Sequence, residues 1–124
     1  MIYPVSFIWL TLCVYHEARG EPREDQMAVV HTILNRAEER GLSVKEVILQ
    51  PFQFSWANQG KRPFIKDYQA FERCAVAVYD ALEERYKGKT LKGANHYHAV
   101  SVDPSWTEGM KRIAHIGRHI FYKG

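Results

Sequence analysis

The sequence predicts an α+β domain, mainly α, with a small β-hairpin. Three observations predict it. Apolar residues recur at helical spacing in three long stretches before residue 86. Ser43-Val44-Lys45-Glu46 forms a capping box that starts a fourth, shorter helix. After Asn95 the pattern changes to alternation, which is the signature of strands.

Ser6 to Arg19 reads as the first helix, apolar on nearly every side and therefore expected in the core. Gly20 suits the position just past its end, and Pro22 the first turn of the next helix. Glu24 and Asp25 suit the positive end of that helix dipole. Met27, Val30, Ile33, Leu34 and Ala37 then form one buried stripe running to about Arg40, with Gly41 as the stop. Asn35-Arg36 reads as solvent-facing. Val44 to Leu49 is the short helix, closed by Pro51.

From Gln50 to about Lys66 the helical period disappears, and aromatics and amides crowd an irregular loop. Asp67 caps a third long helix with a stripe of Tyr68, Phe71, Ala75, Val78 and Leu82, ending near Tyr86. Asn95 to Val102 alternates, with His96 and His98 on one face and Tyr97 and Ala99 on the other. Asp103-Pro104 turns the chain, Ser105 and Glu108 frame one helical turn, and Ile113 to Tyr122 is a second strand pairing with the first.

The 124 residues suit one domain, 1–124, able to bury a core without disulfides or metal. Seventeen basic against fourteen acidic side chains give a net charge of +3, without the clustered basic stripe of a nucleic-acid binder. Nucleic acid is therefore not an expected partner, and a monomer is the default. Cys13 and Cys74 sit inside helical patterns, either as small buried hydrophobes or joined in one disulfide between two helices. The run Val5 to Tyr15 is shorter than the roughly 20 residues a bilayer span needs, and no basic region precedes it. Neither membrane insertion nor a signal peptide is expected.

Glu17 stands out chemically. It ends an apolar helix just before the break at Gly20 and Pro22. Burial and the negative end of the helix dipole both disfavour its charged form, which is how a general acid is prepared. The alternative is a helix-ending Glu paired with Arg19 or Arg23. Trp56, Asn58 and Gln59 offer an aromatic face and amides to a sugar chain, whereas Phe52 and Phe54 read as core plugs under the loop. Glu21 follows Glu17 at helical spacing, so the two could flank a glycosidic bond. Gly20 interrupts that geometry and favours a bracing role for Glu21 at the next helix. His115 and His119 have helical spacing and His96 and His98 share a strand face, so either pair could ligate zinc. No His-Glu-x-x-His motif or paired cysteine supports that metal reading, and no metal or other cofactor is expected.

The stretch Tyr15-His16-Glu17-Ala18-Arg19-Gly20-Glu21-Pro22, followed by Gln26-Met27-Ala28-Val29-Val30 and Ile33-Leu34-Asn35-Arg36, resembles the opening of the SleB-type cell wall hydrolases. These are spore-cortex-lytic enzymes and related bacterial and phage lysins. Pro51-Phe52-Gln53-Phe54-Ser55-Trp56, Ala94-Asn95-His96-Tyr97-His98, Pro104-Ser105-Trp106 and Ile116-Gly117-Arg118-His119-Ile120-Phe121-Tyr122 are similar to its later segments, in order. The resemblance implies a lysozyme-like fold of the lytic-transglycosylase or goose type. It implies peptidoglycan glycan strands as partner, cut between N-acetylmuramic acid and N-acetylglucosamine, with Glu17 as the one catalytic acid/base. It implies for many members a lytic transglycosylase reaction that closes a 1,6-anhydro ring. Glu21, Ser55, Trp56, Tyr97 and His98 are the substrate-binding candidates. The family's strand often reads Tyr-Tyr-Asn-Pro, whereas this chain has Tyr97-His98-Ala99-Val100. A bare catalytic domain with no signal peptide suits a phage endolysin or a piece of a longer protein. A metal-dependent cell wall hydrolase and a non-catalytic peptidoglycan-binding module are the rival readings.

Overall fold

The computed structural model describes residues 4–50, 54, 56–57 and 65–124. Four helices are followed by a small sheet. They are α1 (Pro4–Ala18), α2 (Arg23–Arg40), α3 (Val44–Leu49) and α4 (Tyr68–Tyr86), and the strands are β1 (His96–Ala99), β2 (Lys111–Ile116) and β3 (His119–Lys123). Single 3-10 turns at Leu91–Gly93 and Ser105–Thr107 punctuate the second half. The mainly helical α+β class is as expected.

The helix boundaries follow local chemistry. Gly41 adopts φ 63°, ψ 35° and returns its N–H to the Ala37 carbonyl, ending α2 in the left-handed conformation that glycine takes without strain. Both halves of the capping box close on α3: the Glu46 N–H donates to Ser43 Oγ at 3.1 Å, and the Ser43 N–H to Glu46 Oε1 at 3.0 Å. Asp67 Oδ1 accepts from the Ala70 N–H at 3.0 Å and starts α4. Pro22 lies one place earlier than expected, as the residue flanking α2.

The core lies where α2 meets α1, α3 and α4. α1 enters it mainly through its later residues, with Phe7 and Trp9 packed partly buried against it. Leu10, Cys13, Val14 and Tyr15 are fully buried, but Val5 and Ile8 are more than half exposed, so the all-round burial expected for this helix is corrected. The buried face of α4 is Ala70, Cys74, Ala77, Val78 and Ala81, while Tyr68 is 72% exposed. Small side chains let α4 approach its neighbours closely, and that outweighs the larger apolar residues one position away. Both cysteines are free and buried. No helix among the described residues is long and apolar enough to cross a membrane.

The sheet is antiparallel in the order β1-β3-β2. The segment expected as one strand, Ile113 to Tyr122, is two. Gly117 takes φ 58° and turns β2 into β3, so the chain makes a local hairpin before β1 adds to the far edge of β3. Asn35 and Arg36, expected to face solvent, are 5% and 6% exposed. Asn35 Nδ2 donates to the carbonyls of Thr90 at 2.9 Å and Ala94 at 2.7 Å, and Arg36 Nε donates to that of Asn95 at 2.5 Å. These side chains pin the chain entering β1 to α2.

Candidate active site

Glu17 sits in the last turn of α1, one residue before the helix ends, and is half-buried. Strand register explains its partner. Tyr97 pairs with Phe121 and Ala99 with His119, so Tyr97, His119 and Phe121 share one sheet face. That face meets the helices, and Tyr97 Oη donates to Glu17 Oε1 at 2.5 Å.

Burial raises the Glu17 pKa above the ordinary carboxylate range. The Tyr97 hydrogen bond and the positive charges of His119 and Arg36 pull the other way without reversing it. Burial and the adjacent Glu17 push the Tyr97 hydroxyl far up, so it remains a donor.

Trp56, expected as an exposed platform, is half-buried and stacks on His16 with ring centroids 4.7 Å apart. Its indole N–H favours the Glu17 carboxylate electrostatically but closes no hydrogen bond of standard geometry, and it has no other acceptor among the described residues. Phe54 is 3% exposed and belongs to the core, as read from the sequence. Ser55, together with Phe52, Gln53, Asn58 and Gln59, lies outside the described residues.

Glu21 accepts the Arg118 N–H at Oε1, 2.8 Å away, and so ties the start of α2 to the β2–β3 turn. It braces the junction, as its position after Gly20 suggested. Glu17 and Glu21 nonetheless line one cavity of about 460 Å³, with Val100, Ser101, Arg118 and His119. That volume is in the range of small-molecule and sugar-ring sites.

His98 lies on the opposite sheet face from Tyr97. It stacks on Tyr122 at 5.3 Å, bonds the Tyr122 hydroxyl through Nε2 at 2.9 Å, and meets Trp106 edge-on. His96 packs on the same Trp106. A strand alternates its side chains, so Tyr97 and His98 cannot both face Glu17, and the structure brings only Tyr97 there. His115 and His119 lie on paired strands rather than one helix turn, and His115 Nε2 contacts the Gly117 carbonyl at 3.1 Å.

Asp25 was missed as a site residue from the sequence, and His119 was read there only as a possible zinc ligand. Asp25 is fully buried, and His119 Nδ1 lies 2.8 Å from both of its carboxylate oxygens. Burial raises the Asp25 pKa, the bond to His119 opposes it, and the nearby Glu21 carboxyl adds to the rise. Donor atoms of Glu21, Asp25 and His119 all lie within 4.8 Å of one another, the one such described group. The 2.8 Å separations between His119 and Asp25 are those of hydrogen bonds. Ninety-four positions separate Asp25 from His119, and no local pattern in the sequence links them.

A family model described as Cell Wall Hydrolase matches residues 20–122, beginning just past Glu17. The spore cortex-lytic enzyme of Bacillus subtilis is 32% identical over 90% of this chain and 35% of its own length. The chain thus spans about a third of that relative. The catalytic domain of the germination-specific lytic transglycosylase SleB from Bacillus anthracis superposes with a TM-score of 0.78 at 28% identity, covering 98% of this chain and 97% of that one. The catalytic domain of the Bacillus cereus SleB protein gives 0.76 at 31% identity, covering 98% and 93%. The chain belongs to the cell wall hydrolase family and has the fold of the SleB catalytic domain.

Proposed function

We propose that this cell wall hydrolase cleaves peptidoglycan glycan strands at the bond between N-acetylmuramic acid and N-acetylglucosamine, as a lytic transglycosylase with Glu17 as its acid. The observation that carries the reading is the Glu17 carboxyl itself: half-buried, raised in pKa by that burial, bonded by Tyr97, and opening on a cavity. A carboxyl held neutral beside a cavity donates to a leaving oxygen at a pH where an exposed glutamate would already be ionised.

Protonated Glu17 gives its proton to the glycosidic oxygen, and the bond to the muramoyl C1 breaks. The oxocarbenium-like centre is captured by the same sugar's 6-hydroxyl, closing a 1,6-anhydro ring. The carboxylate left at Glu17 regains a proton as the ring closes. No carboxylate nucleophile is required, which fits Glu21 being committed to the Arg118 N–H. The catalytic domain of Bacillus anthracis SleB, described as a lytic transglycosylase, supports the same reaction class here.

Digestion of purified peptidoglycan followed by mass spectrometry tests the proposal. Anhydro products, one water lighter than hydrolysed ones, are expected from the wild type and none from Glu17→Gln. Undiminished release by that variant would remove Glu17 from its role.

A further inference from the structure

Beside the cavity that holds Glu17 lies a groove of about 490 Å³, lined by Arg19, Arg23 and Arg73 together with Glu21 and Gln26. Glu21 lines both, so the two are neighbours across the α1–α2 junction. Nothing lies within 4 Å of where a Cβ would stand on Gly20 at that junction. The three guanidinium groups come from separate places in the chain: Arg19 just past the end of α1, Arg23 at the first position of α2, and Arg73 within α4. All three residues are exposed. Asp80 Oδ2 engages Arg23 at 2.7 Å from Nε and 2.5 Å from one Nη, yet the Arg23 side chain stays 64% exposed. The Arg19 guanidinium rests over the Tyr15 ring, 4.7 Å from its centroid, which positions the charge without neutralising it. Gln26 Nε2 donates to the Ala18 and Arg19 carbonyls at 3.0 and 3.4 Å and fixes the chain there. Neither Arg19 nor Arg73 has a carboxylate partner among the described residues. Glu21, the acid at the groove's edge, is committed to the Arg118 N–H.

Cations gathered in one groove without their own counterions repel each other and draw in an anion. The planar guanidinium fork fits a carboxylate through two parallel hydrogen bonds. A sugar ring is neutral and gives such groups nothing to pair with, whereas the peptide stem carried by N-acetylmuramic acid bears free carboxylates. We propose, resting on peptidoglycan as the substrate, that this groove binds the carboxylates of the peptide stem while the neighbouring cavity takes the glycan. Arg19 and Arg73 supply the ion pairs, and Arg23, already shared with Asp80, adds a weaker contact. The stem lies away from the reacting bond, so the groove holds it equally well before and during the reaction. Its contribution therefore falls on KM and leaves kcat unchanged.

The test compares two forms of the same soluble glycan strands, one with its stem carboxylates free and one with them converted to amides. For the wild type, kcat/KM falls by about 10-fold on the amide form, through KM. The double variant Arg19→Ala, Arg73→Ala loses that factor on the free form, and its preference between the two forms disappears. Lys89→Ala, which removes an exposed cation elsewhere, keeps the preference. Equal kcat/KM on the two forms by the wild type overturns the proposal. So does a double variant that keeps the preference, or a Lys89→Ala protein that loses it. Binding is also read without cleavage: L-alanyl-γ-D-glutamyl-diaminopimelate at millimolar concentration shifts the 1H–15N NMR signals of Gly20, Arg23 and Arg73 in the wild type. Unmoved signals there overturn the proposal even if the double variant does not fold. Inorganic phosphate that shifts them more strongly than the peptide would assign the groove to a phosphate polymer of the wall and overturn it as well. Peptide binding with neither form of the strands cleaved is a separate failure, of the enzymatic reading rather than of the groove.

Discussion

The Tyr97 hydroxyl donates to Glu17 Oε1 at 2.5 Å across eighty positions of chain. It is the contact through which the sheet reaches the end of α1, and it opposes the upward push that burial exerts on the Glu17 pKa. Tyr97→Phe removes that opposition. The alkaline limb of activity, above which Glu17 has lost its proton, moves to higher pH in the variant. Rate–pH profiles of the two proteins check this, and a limb that stays or moves downward counts against Tyr97 as a modulator.

Glu17→Gln should lose at least about 100-fold in glycan cleavage yet fold more stably than the wild type near neutral pH. A carboxyl whose native pKa is raised binds protons more tightly folded than unfolded. Its ionisation therefore costs stability above the native pKa, and that cost fades as pH falls toward the unfolded value of about 4.3. Melting curves should show the variant ahead at pH 8 and the gap closing toward pH 4. A variant less stable than the wild type at pH 8 would contradict the burial argument.

His31 gives the opposite sign. It is 3% exposed, and burial lowers its pKa against the pull of Glu84, whose Oε1 lies 2.9 Å from Nε2. The native state favours neutral His31, so its contribution is present above the unfolded value of about 6.5 and is lost as pH falls through the lower native value. His31→Gln should cost stability at pH 7, and its deficit should shrink toward pH 5. Urea unfolding at both pH values measures the two gaps.

Gly117 sits at φ 58°, and an added Cβ would lie 2.6 Å from Asp25 Oδ2 and 3.1 Å from Glu21 Oε1. Gly117→Ala should destabilise by more than about 1 kcal/mol and also lower activity by displacing both carboxylates. Gly109 is the control: its φ is 79°, but nothing lies within 4 Å of its Cβ position. Gly109→Ala should cost stability and leave kcat unchanged, and equal activity losses in the two variants would show that backbone strain alone is responsible.

Asn35 donates to two carbonyls beside β1 and accepts from Arg85 of α4 at 3.0 Å, with its bond to the Ala94 carbonyl buried and the other two part-buried. Asn35→Ala strands those carbonyls and should cost about 2 kcal/mol or more in chemical denaturation. A loss below about 0.5 kcal/mol would mean the surface expectation was closer to the truth.

Much of this was legible in sequence order because its causes are local. The capping box at Ser43, the Asp67 cap, the Gly41 stop and the alternation after Asn95 depend on neighbours a few residues away, and each element formed. Glu17 was legible because an ionisable group at the end of an apolar run carries its own desolvation cost. Tertiary structure decided what local pattern cannot encode. Register placed Tyr97 against Glu17 and turned His98 away, because neighbouring strand residues face opposite sides. Packing of small residues set which face of α4 is buried. The joining of Asp25 to His119 needed the β2–β3 hairpin to fold back on the start of α2, since a contact between residues so far apart in the chain exists only once the core has brought them together.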